Sequence, residues 1–517
     1  MNKEKTNFQQ SCNISRRKFL GVSALALGAI NNLSVDLSTS SFTTEPVSAI
    51  DTKLGVKFIF TGTFHKEAYE GPCRWGKLDN LTYEVEMKRI RDGFNKFKME
   101  LELIKLTPEI NLLEPAVVST FIGKENPEGK IQNEQLDAFK NDDSKTDLYV
   151  VTHMYEGFKV GEYFKKPVIV MLNHARAADM TGALRAKGIQ SFIAADFEEA
   201  FELIRLFFVK KAFKQTKILC VTDSPQEAPV PIQSSIVDLN SLKELYGMGH
   251  MYINYKKFFS TMDKIVKDNT ILKMADEITD RLLNNAISCN MTKEDIKNDI
   301  LFYLTVKNLM AEHSCNAFTI CCPELCSSMQ PWKRRFTPCL THSMLKDSGF
   351  PSACDRDIST LLAIALKMYL SRKAVYMGNI DIDRKENILS MHHSVASLKM
   401  NGIDRLPSNY KIKHFTNSGF GATLRHNFNE DRGKQVTIGR FDPAGKKLLI
   451  TKGTIVGEKE LFNDLGCAQN VDIKITNGRE LWRENQNFGP HVTMVFGDYI
   501  NEIRDLGELM DFKVVNI

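Results

Sequence analysis

PVIVML at residues 167–172, SFIAA at residues 191–195 and KILCV at residues 217–221 are three short apolar runs, and a helical pattern fills residues 197–208 between the last two. Continuous apolar runs of this length are typical of strands that are buried on both faces of a parallel sheet. Their alternation with helices predicts an α/β fold in which helices cover both faces of the sheet.

The same alternation extends toward the N-terminus. KFIFTG at residues 57–62 and DLYVV at residues 147–151 are further buried-strand patterns, and residues 81–97 carry apolar side chains at helical spacing. ELELI at residues 100–104 follows the helix as another predicted strand. We therefore expect α/β structure from residue 51 onward.

The pattern changes toward the C-terminus. Residues 272–312 carry the pattern of two or three helices, and short strands with Gly turns follow residue 371, such as QVTIG at 435–439 and KLLIT at 447–451. That change predicts a mostly antiparallel β region. The predicted organisation is an N-terminal segment (1–50), two α/β domains (51–176 and 177–372) and a β-rich domain (373–517).

Composition and charge restrict the class of protein. The chain has 517 residues, of which 43% are hydrophobic and 25% charged, figures that exclude collagen-like, disordered and membrane-embedded classes. The formal net charge is only +5, and most of the excess lies in the first thirty residues. We therefore expect neither a nucleic-acid partner nor a stable membrane span.

The N-terminus has the pattern of an export signal. SRRKFL at residues 15–20 precedes the mildly apolar GVSALALGAI at residues 21–30. This apolar run is shorter than the roughly twenty residues that a membrane-spanning helix needs. The paired arginines with Phe and Leu resemble a twin-arginine signal, which predicts a periplasmic or extracellular bacterial protein.

Cysteine usage favours unpaired thiols. The chain has 11 cysteines, an odd number, and six of them lie between residues 315 and 354 without paired Cys-x-x-Cys spacing. That arrangement argues against a disulfide framework and against a zinc site. We expect most of them to be buried as small apolar side chains.

Four spots in the last third of the chain offer metal ligands or acid–base groups. They are CDRD at residues 354–357, GNIDID at residues 378–383, the pair His392-His393, and GPH at residues 489–491. Asn379, Asp381 and Asp383 share one face of a predicted strand, which offers three oxygen ligands on a common surface.

Each of these spots also has an ordinary structural explanation. Carboxylates at a helix N-terminus are favoured as caps, so CDRD is equally typical of a helix start. Three polar residues on one strand face also describe a solvated strand. Only one imidazole of the extended His392-His393 pair can enter a given site, and His491 beside an apolar strand is typical of a structural histidine.

The order of these spots resembles that of the L-fucose isomerase/L-arabinose isomerase superfamily, in particular its sugar isomerase-like branch. In this chain the order is FTPCL at 336–340, SGFPSACDRD at 348–357, VYMGN at 375–379, LSMHHS at 389–394, GPH at 489–491 and VFGDY at 495–499. The superfamily shows PC…GIPAACEGD, VFMGN, LAHC and NHY…VYGDY. The resemblance is specific over residues 319–517 and rests before them on the α/β alternation.

This resemblance implies a fold and a metal centre. The implied fold is α/β, with two Rossmann-like domains and a C-terminal, mostly antiparallel β-barrel domain. The implied centre holds a divalent metal, Mn²⁺ or Mg²⁺, between acidic residues and a histidine. Matched position by position, its metal ligands are Asp355, Asn379, Asp381 and His491, with His392 as a substrate contact.

Several positions depart from the superfamily pattern. Asp355 is one methylene shorter than the usual Glu, and Asn379 stands where fucose isomerases have an Asp that can act as a base. Asp381, two residues further along the same strand face, could substitute for it. Arg356 stands where a small residue is usual and could contact the substrate or pair with Asp355.

The resemblance implies an aldose–ketose isomerase that acts on a monosaccharide. Asp355 would remove the C2 proton, and Asp381 or a metal-bound water would return one at C1 through an enediol. Members of the superfamily are usually homo-oligomers. A non-catalytic carbohydrate-binding protein with the same fold is the alternative function.

Overall fold

The computed structural model describes residues 45–66, 82–104, 107–152, 156–459 and 465–517. The predicted export signal lies outside these residues. Within the described part of the chain, none of the helices combines the length and apolar character that crossing a membrane requires.

The longer helices begin at side chains that cap them. Asp196, Asp268 and Thr292 each accept a hydrogen bond from a backbone amide in the first turn of the helix that follows. The α-helices of the described residues are α1 (Tyr83–Glu102), α2 (Asn133–Asp137), α3 (Lys140–Asp143), α4 (Lys159–Phe164), α5 (Ala175–Ala186), α6 (Phe197–Lys214), α7 (Asn240–Tyr246), α8 (Tyr255–Ile265), α9 (Asn269–Asn285), α10 (Lys293–Glu312), α11 (Cys322–Ser327), α12 (Gln330–Arg334), α13 (Cys339–Asp347), α14 (Ile358–Ser371), α15 (Gly478–Asn485) and α16 (Ile500–Met510).

The first sheet has five parallel strands in the order β2-β1-β3-β4-β5. Its strands are β1 (Leu54–His65), β2 (Ile110–Ile122), β3 (Leu148–Thr152), β4 (Val168–Met171) and β5 (Ser191–Ala194). The apolar runs quoted at 57–62, 147–151, 167–172 and 191–195 all form strands here, which confirms those predictions. β5, which follows the predicted domain boundary at residue 176, pairs with β4 in this sheet.

One predicted strand is wrong. Residues 100–102 continue α1, and the strand next to β1 is instead β2. Leu101 is buried together with Phe97, four residues earlier, so the apolar side chains of this stretch follow the helical repeat. The alternation of Glu and Leu in ELELI resembles a strand only when the preceding helix is ignored.

The second sheet has four parallel strands in the order β10-β9-β6-β7. Its strands are β6 (Lys217–Val221), β7 (Gly249–Ile253), β9 (Ala317–Ile320) and β10 (Ser352–Ala353). A small separate sheet joins β14 (Ala422–His426), β13 (Tyr410–His414) and β8 (Ser288–Cys289) in that order. The helical pattern of residues 272–312 corresponds to α9 and α10.

The C-terminal sheet has seven strands and closes on itself. Its strands are β11 (Tyr376–Asp383), β12 (Ile388–His392), β15 (Gln435–Phe441), β16 (Lys447–Gly457), β17 (Asn470–Ile475), β18 (His491–Phe496) and β19 (Lys513–Asn516). The order β15-β18-β11-β12-β17-β16 is antiparallel, and β15 also pairs with β16, which closes a barrel with β19 outside it. The predicted fold class, parallel α/β units followed by an antiparallel barrel, is therefore confirmed.

Helix α14 packs the barrel against the α/β part of the chain. All its residues from Ile358 to Leu370 are buried. Lys367 lies on the barrel side, where its Nζ donates to Thr493 Oγ1 of β18 at 2.7 Å. This contact joins the C-terminal half of α14 to β18, and residues 354–357 precede the other end of the same helix.

Candidate metal centre

The candidate site begins at a strained turn between β10 and α14. Asp355 has a φ of 58° and Arg356 a φ of 53°, in the left-handed region that residues other than glycine rarely adopt. A backbone conformation of this kind costs about 1–3 kcal/mol and persists where its surroundings hold it. The Asp355 side chain keeps 17% of its surface exposed at this turn.

Arg356 holds the turn in place. Its backbone N–H donates to the Ile320 carbonyl at 3.0 Å. Its guanidinium donates to Thr222 Oγ1 at 2.9 Å, to the Ser224 carbonyl at 2.6 Å and to the Glu227 carbonyl. The sequence predicts Arg356 as a substrate contact, and the structure directs its buried guanidinium at the loop over residues 222–227.

Asp357 caps α14 and joins it to the barrel. Its carboxylate accepts the Thr360 N–H at 3.1 Å and the His491 Nδ1–H at 2.9 Å. It also forms an ion pair with Arg440, and both side chains are fully buried. Burial opposes ionisation of Asp357, but Arg440 and His491 outweigh it and hold its pKa well below the usual value.

His491 is the first residue of β18 and lies opposite Asn379 of β11. Its ring is 1% exposed, and Nε2 lies 3.9 Å from Asp355 Oδ2. Burial lowers the pKa of His491 even though Asp357 opposes that shift. With Nδ1 held by a carboxylate, a neutral ring presents Nε2 as a ligand, which is the usual arrangement of a metal-binding histidine.

His393 follows the end of β12, and its ring lies 5.3 Å from that of His491, centroid to centroid. Its Nε2 lies 3.9 Å from Asp355 Oδ2, and its ring is 2% exposed. The His393 N–H donates to the Gln469 carbonyl at 2.9 Å. Its Nδ1 lies 3.0 Å from the Ser394 nitrogen and 3.9 Å from the Cys467 sulfur.

The protonation of His393 depends on these neighbours. Burial lowers its pKa, but Cys467 and Asp355 overcome that effect and raise it to about 10. Burial likewise opposes ionisation of the Cys467 thiol, yet His393 lowers its pKa overall. The imidazole and the thiol therefore shift each other's pKa, that of His393 upward and that of Cys467 downward.

Asp355, His393 and His491 form one group of candidate ligands. One ligand atom from each residue lies within 4.8 Å of the other two. One carboxylate oxygen and two imidazole nitrogens suit divalent cations such as Mn²⁺ and Fe²⁺. Asp357 supplies the outer carboxylate that orients His491, so the residues present fit such a cation.

Thiols border the same carboxylate. Ligand atoms of Cys322, Cys354 and Asp355 also lie within 4.8 Å of one another. Cys354 is buried, as predicted for the thiols of this region, while Cys326 is exposed. Every cysteine in the described part of the chain is free of a disulfide.

The predicted site residues are distributed over two places. Asp355 and His491 lie together, and Asn379 is next to them in the ladder because it is opposite His491. Asp381 is 82% exposed and lies 3.7 Å from His392, whose side chain is 37% exposed. Asp381 and His392 are therefore outside the group of ligand atoms around Asp355.

Sequence reasoning did not single out His393 or Asp357. The alternation in β12 could have distinguished the two adjacent histidines, because Leu389 and Met391 point into the barrel and His392 lies on the opposite face. The pairing of Asp357 with His491 joins residues that are distant in the chain. Only the fold reveals that contact.

No family model matches the chain. The sulfoquinovose isomerase of Alkalicoccus urumqiensis is 24% identical to it over 339 residues, which is 63% of this chain and 72% of that protein. This similarity supports the coarser part of the prediction from sequence, namely that the chain is related to a sugar isomerase.

Proposed function

We propose that this protein is a metal-dependent aldose–ketose isomerase that acts on a monosaccharide. One observation carries the proposal. Asp355, His393 and His491 each place one ligand atom within 4.8 Å of the other two, near the start of α14. The relationship to a sulfoquinovose isomerase supports a sugar as the substrate.

Asp355, His393 and His491 would hold the cation. Both histidine rings are almost completely buried, whereas the Asp355 side chain remains 17% exposed. A sugar would therefore reach the centre from the side of Asp355. When bound, a divalent cation such as Mn²⁺ or Mg²⁺ polarises the sugar carbonyl and stabilises the negative charge that develops on its oxygen.

Asp355 would move the proton between C2 and C1. Burial raises the pKa of its carboxyl, but His393 and His491 outweigh that effect and lower it, so the carboxylate is ionised near neutral pH. Asp355 would take the C2 proton as the enediol forms and return it to C1, while the hydroxyl proton passes from O2 to O1. Because Asp381 is 82% exposed, we assign both transfers to Asp355.

The test is turnover of an aldose panel by the purified full chain, with and without added Mn²⁺. The panel contains pentoses, deoxyhexoses and sulfoquinovose, and ketose formation is followed by NMR. We expect conversion of at least one sugar, loss of activity with a chelator, and a fall in kcat of about a hundredfold to ten-thousandfold in Asp355→Asn. Asp263→Asn, which changes an exposed aspartate of α8, is the matched control.

One observation favours the alternative, a non-catalytic carbohydrate-binding protein. Asn379 cannot act as a base, and Asp381 lies outside the group around Asp355, so among the described residues Asp355 is the one carboxylate in the group of ligand atoms formed with His393 and His491. If the panel sugars bind in calorimetry but none is converted with any added cation, the isomerase proposal fails and the binding function replaces it.

A further inference from the structure

A second group of ligand atoms borders the candidate metal centre. The sulfurs of Cys322 and Cys354 and a carboxylate oxygen of Asp355 all lie within 4.8 Å of one another. Asp355 also belongs to the group formed with His393 and His491. One carboxylate therefore lies between a pair of imidazoles and a pair of thiols.

The fold brings these two thiols together, although they are far apart in the chain. β9 and β10 are neighbouring parallel strands, so their carboxyl ends meet at the same edge of the second sheet, where α/β proteins commonly bind ligands. Cys322 begins α11 shortly after β9, and Cys354 and Asp355 follow β10 directly. The arrangement needs no Cys-x-x-Cys motif, and for that reason the spacing of the cysteines does not predict it.

Both thiols are available to a cation that approaches from solvent. Neither forms a disulfide; Cys322 is half-buried and Cys354 is 3% exposed. The backbone N–H of Cys354 contacts Met377 Sδ at 3.5 Å, which holds the chain at this point. The Asp355 side chain remains 17% exposed. An ion would therefore enter from the side of Cys322 and Asp355.

The ligand atoms of this group select a different class of cation from those of the histidine group. Thiolate sulfur is a soft ligand that favours Zn²⁺, whereas carboxylate and imidazole also suit Mn²⁺. Zn²⁺ binds its ligands at about 2.0–2.3 Å, so in a tetrahedral site the ligand atoms lie about 3.3–3.8 Å apart. Atoms that lie within 4.8 Å of one another therefore need to move by about 1 Å or somewhat more. A water molecule would complete the tetrahedron.

We propose that Cys322, Cys354 and Asp355 form a second metal site, which binds thiophilic divalent cations such as Zn²⁺. Each thiol releases its proton to solvent as its sulfur binds the cation, and no oxidant or reductant takes part. Because Asp355 belongs to both groups, a cation at the thiols draws this carboxylate away from the histidines and repels a second cation there. Zn²⁺ therefore weakens the binding of Mn²⁺.

The experiment titrates the reduced, metal-free full chain with Cd²⁺, a spectroscopic substitute for Zn²⁺. It follows the ultraviolet charge-transfer band that cadmium–thiolate bonds produce. We expect one Cd²⁺ per chain to saturate the band and excess Zn²⁺ to remove it. Cys322→Ser should abolish the band, and Asp355→Asn should lower the affinity for Cd²⁺ by about tenfold or more. Cys289→Ser changes an exposed cysteine outside the group and should keep the wild-type band.

Cys467→Ser is the matched control for a thiol beside the histidines. The Cys467 sulfur lies 3.9 Å from His393 Nδ1, so a cation held by the histidines also has a thiol nearby. We expect Cys467→Ser to keep the band. Loss of the band in this variant, or its persistence in Cys322→Ser, overturns the proposal because the thiolate ligand then lies elsewhere.

The wild-type protein provides a test that does not depend on any variant's folding. Bound Cd²⁺ should protect Cys322 from alkylation by iodoacetamide, measured by mass spectrometry, and should leave the exposed Cys289 reactive. An alkylation rate of Cys322 that Cd²⁺ does not change overturns the proposal.

A calorimetric titration measures the coupling between the two groups. We expect the affinity for Mn²⁺ to fall by about tenfold or more once one Cd²⁺ per chain has saturated the band. Unchanged affinity for Mn²⁺ overturns the shared role of Asp355. None of these measurements involves a sugar, so the inference stands or falls separately from the proposed isomerase function.

Discussion

His491 and His393 face the same carboxylate oxygen at the same distance, 3.9 Å, yet the protein holds the two rings by different means. His491 starts a barrel strand and is fixed by the buried pair Asp357–Arg440. His393 lies after a strand and contacts a thiol. The first ring has a set orientation, whereas the second has a proton state that its neighbours control.

The largest expected effect is on the free energy of unfolding, and it should follow from removing the Asp357–Arg440 ion pair that holds His491. Arg440→Met removes the cation that neutralises Asp357, a fully buried carboxylate. Loss of one partner of a buried ion pair costs about 3–5 kcal/mol, and we expect that decrease in the free energy of unfolding by chemical denaturation.

Arg432→Met is the control for this prediction. Arg432 is an exposed arginine that donates to Asn429 Oδ1. We expect its replacement to change the free energy of unfolding by less than about 1 kcal/mol. If both variants lose the same stability, the Asp357–Arg440 pair does not hold the barrel and α14 together.

The next prediction concerns Mn²⁺ affinity and tests whether Asp357 orients His491. Asp357→Asn keeps the shape of the cap but removes the charge that receives the Nδ1–H. Loss of an outer-shell partner typically lowers metal affinity by about 10–100-fold, and we expect a fall of that size in a calorimetric titration with Mn²⁺. Asp431→Asn alters the corresponding contact of His426 and should leave this affinity unchanged.

The second histidine should respond to pH instead. A raised pKa means that a proton competes with the metal for His393, so Mn²⁺ affinity should rise with pH up to the pKa of about 10. Cys467→Ser removes one of the two neighbours that raise this pKa and leaves Asp355 to oppose the effect of burial, so the pKa of His393 should fall. The variant should therefore bind Mn²⁺ more tightly than wild type near neutral pH.

Titrations with Mn²⁺ between about pH 6 and pH 9 check this prediction, because affinity changes by about tenfold per pH unit where one proton competes. Cys289→Ser replaces an exposed cysteine outside the centre and should follow the wild-type profile. A Cys467→Ser profile identical to that of wild type would mean that the thiol does not control His393.

The two histidines also differ in how far the sequence predicts them. His491 and Asp355 are predicted because GPH at residues 489–491 and CDRD at 354–357 match the superfamily pattern in position, although each motif alone is also typical of a structural residue. His393 follows from strand alternation only once the end of β12 is known. Its thiol neighbour is 74 residues away in the chain, a contact that no local pattern contains.

The same limit applies to the fold. The apolar runs at 167–172 and 191–195 predict strands because each is a short continuous run that does not extend a preceding helical pattern. Both form strands of the first sheet. ELELI at residues 100–104 fails because the helix before it extends its own repeat through Leu101. Local patterns therefore predict elements well, whereas the partners of a buried side chain depend on how distant elements pack.

The smallest expected effect is on Mn²⁺ affinity in a variant of Asp381. The sequence predicts Asp381 as a metal ligand, whereas the structure places it outside the group around Asp355. Asp381 is 82% exposed and lies 3.7 Å from His392 Nδ1. An exposed pair of this kind contributes little, so we expect Asp381→Asn to change Mn²⁺ affinity by less than about twofold. If the affinity instead falls by the factor expected for Asp357→Asn, Asp381 reaches the cation from β11. The metal centre would then also depend on β11, and the contrast between the oriented ring of His491 and the pH-dependent ring of His393 would no longer be enough to describe it.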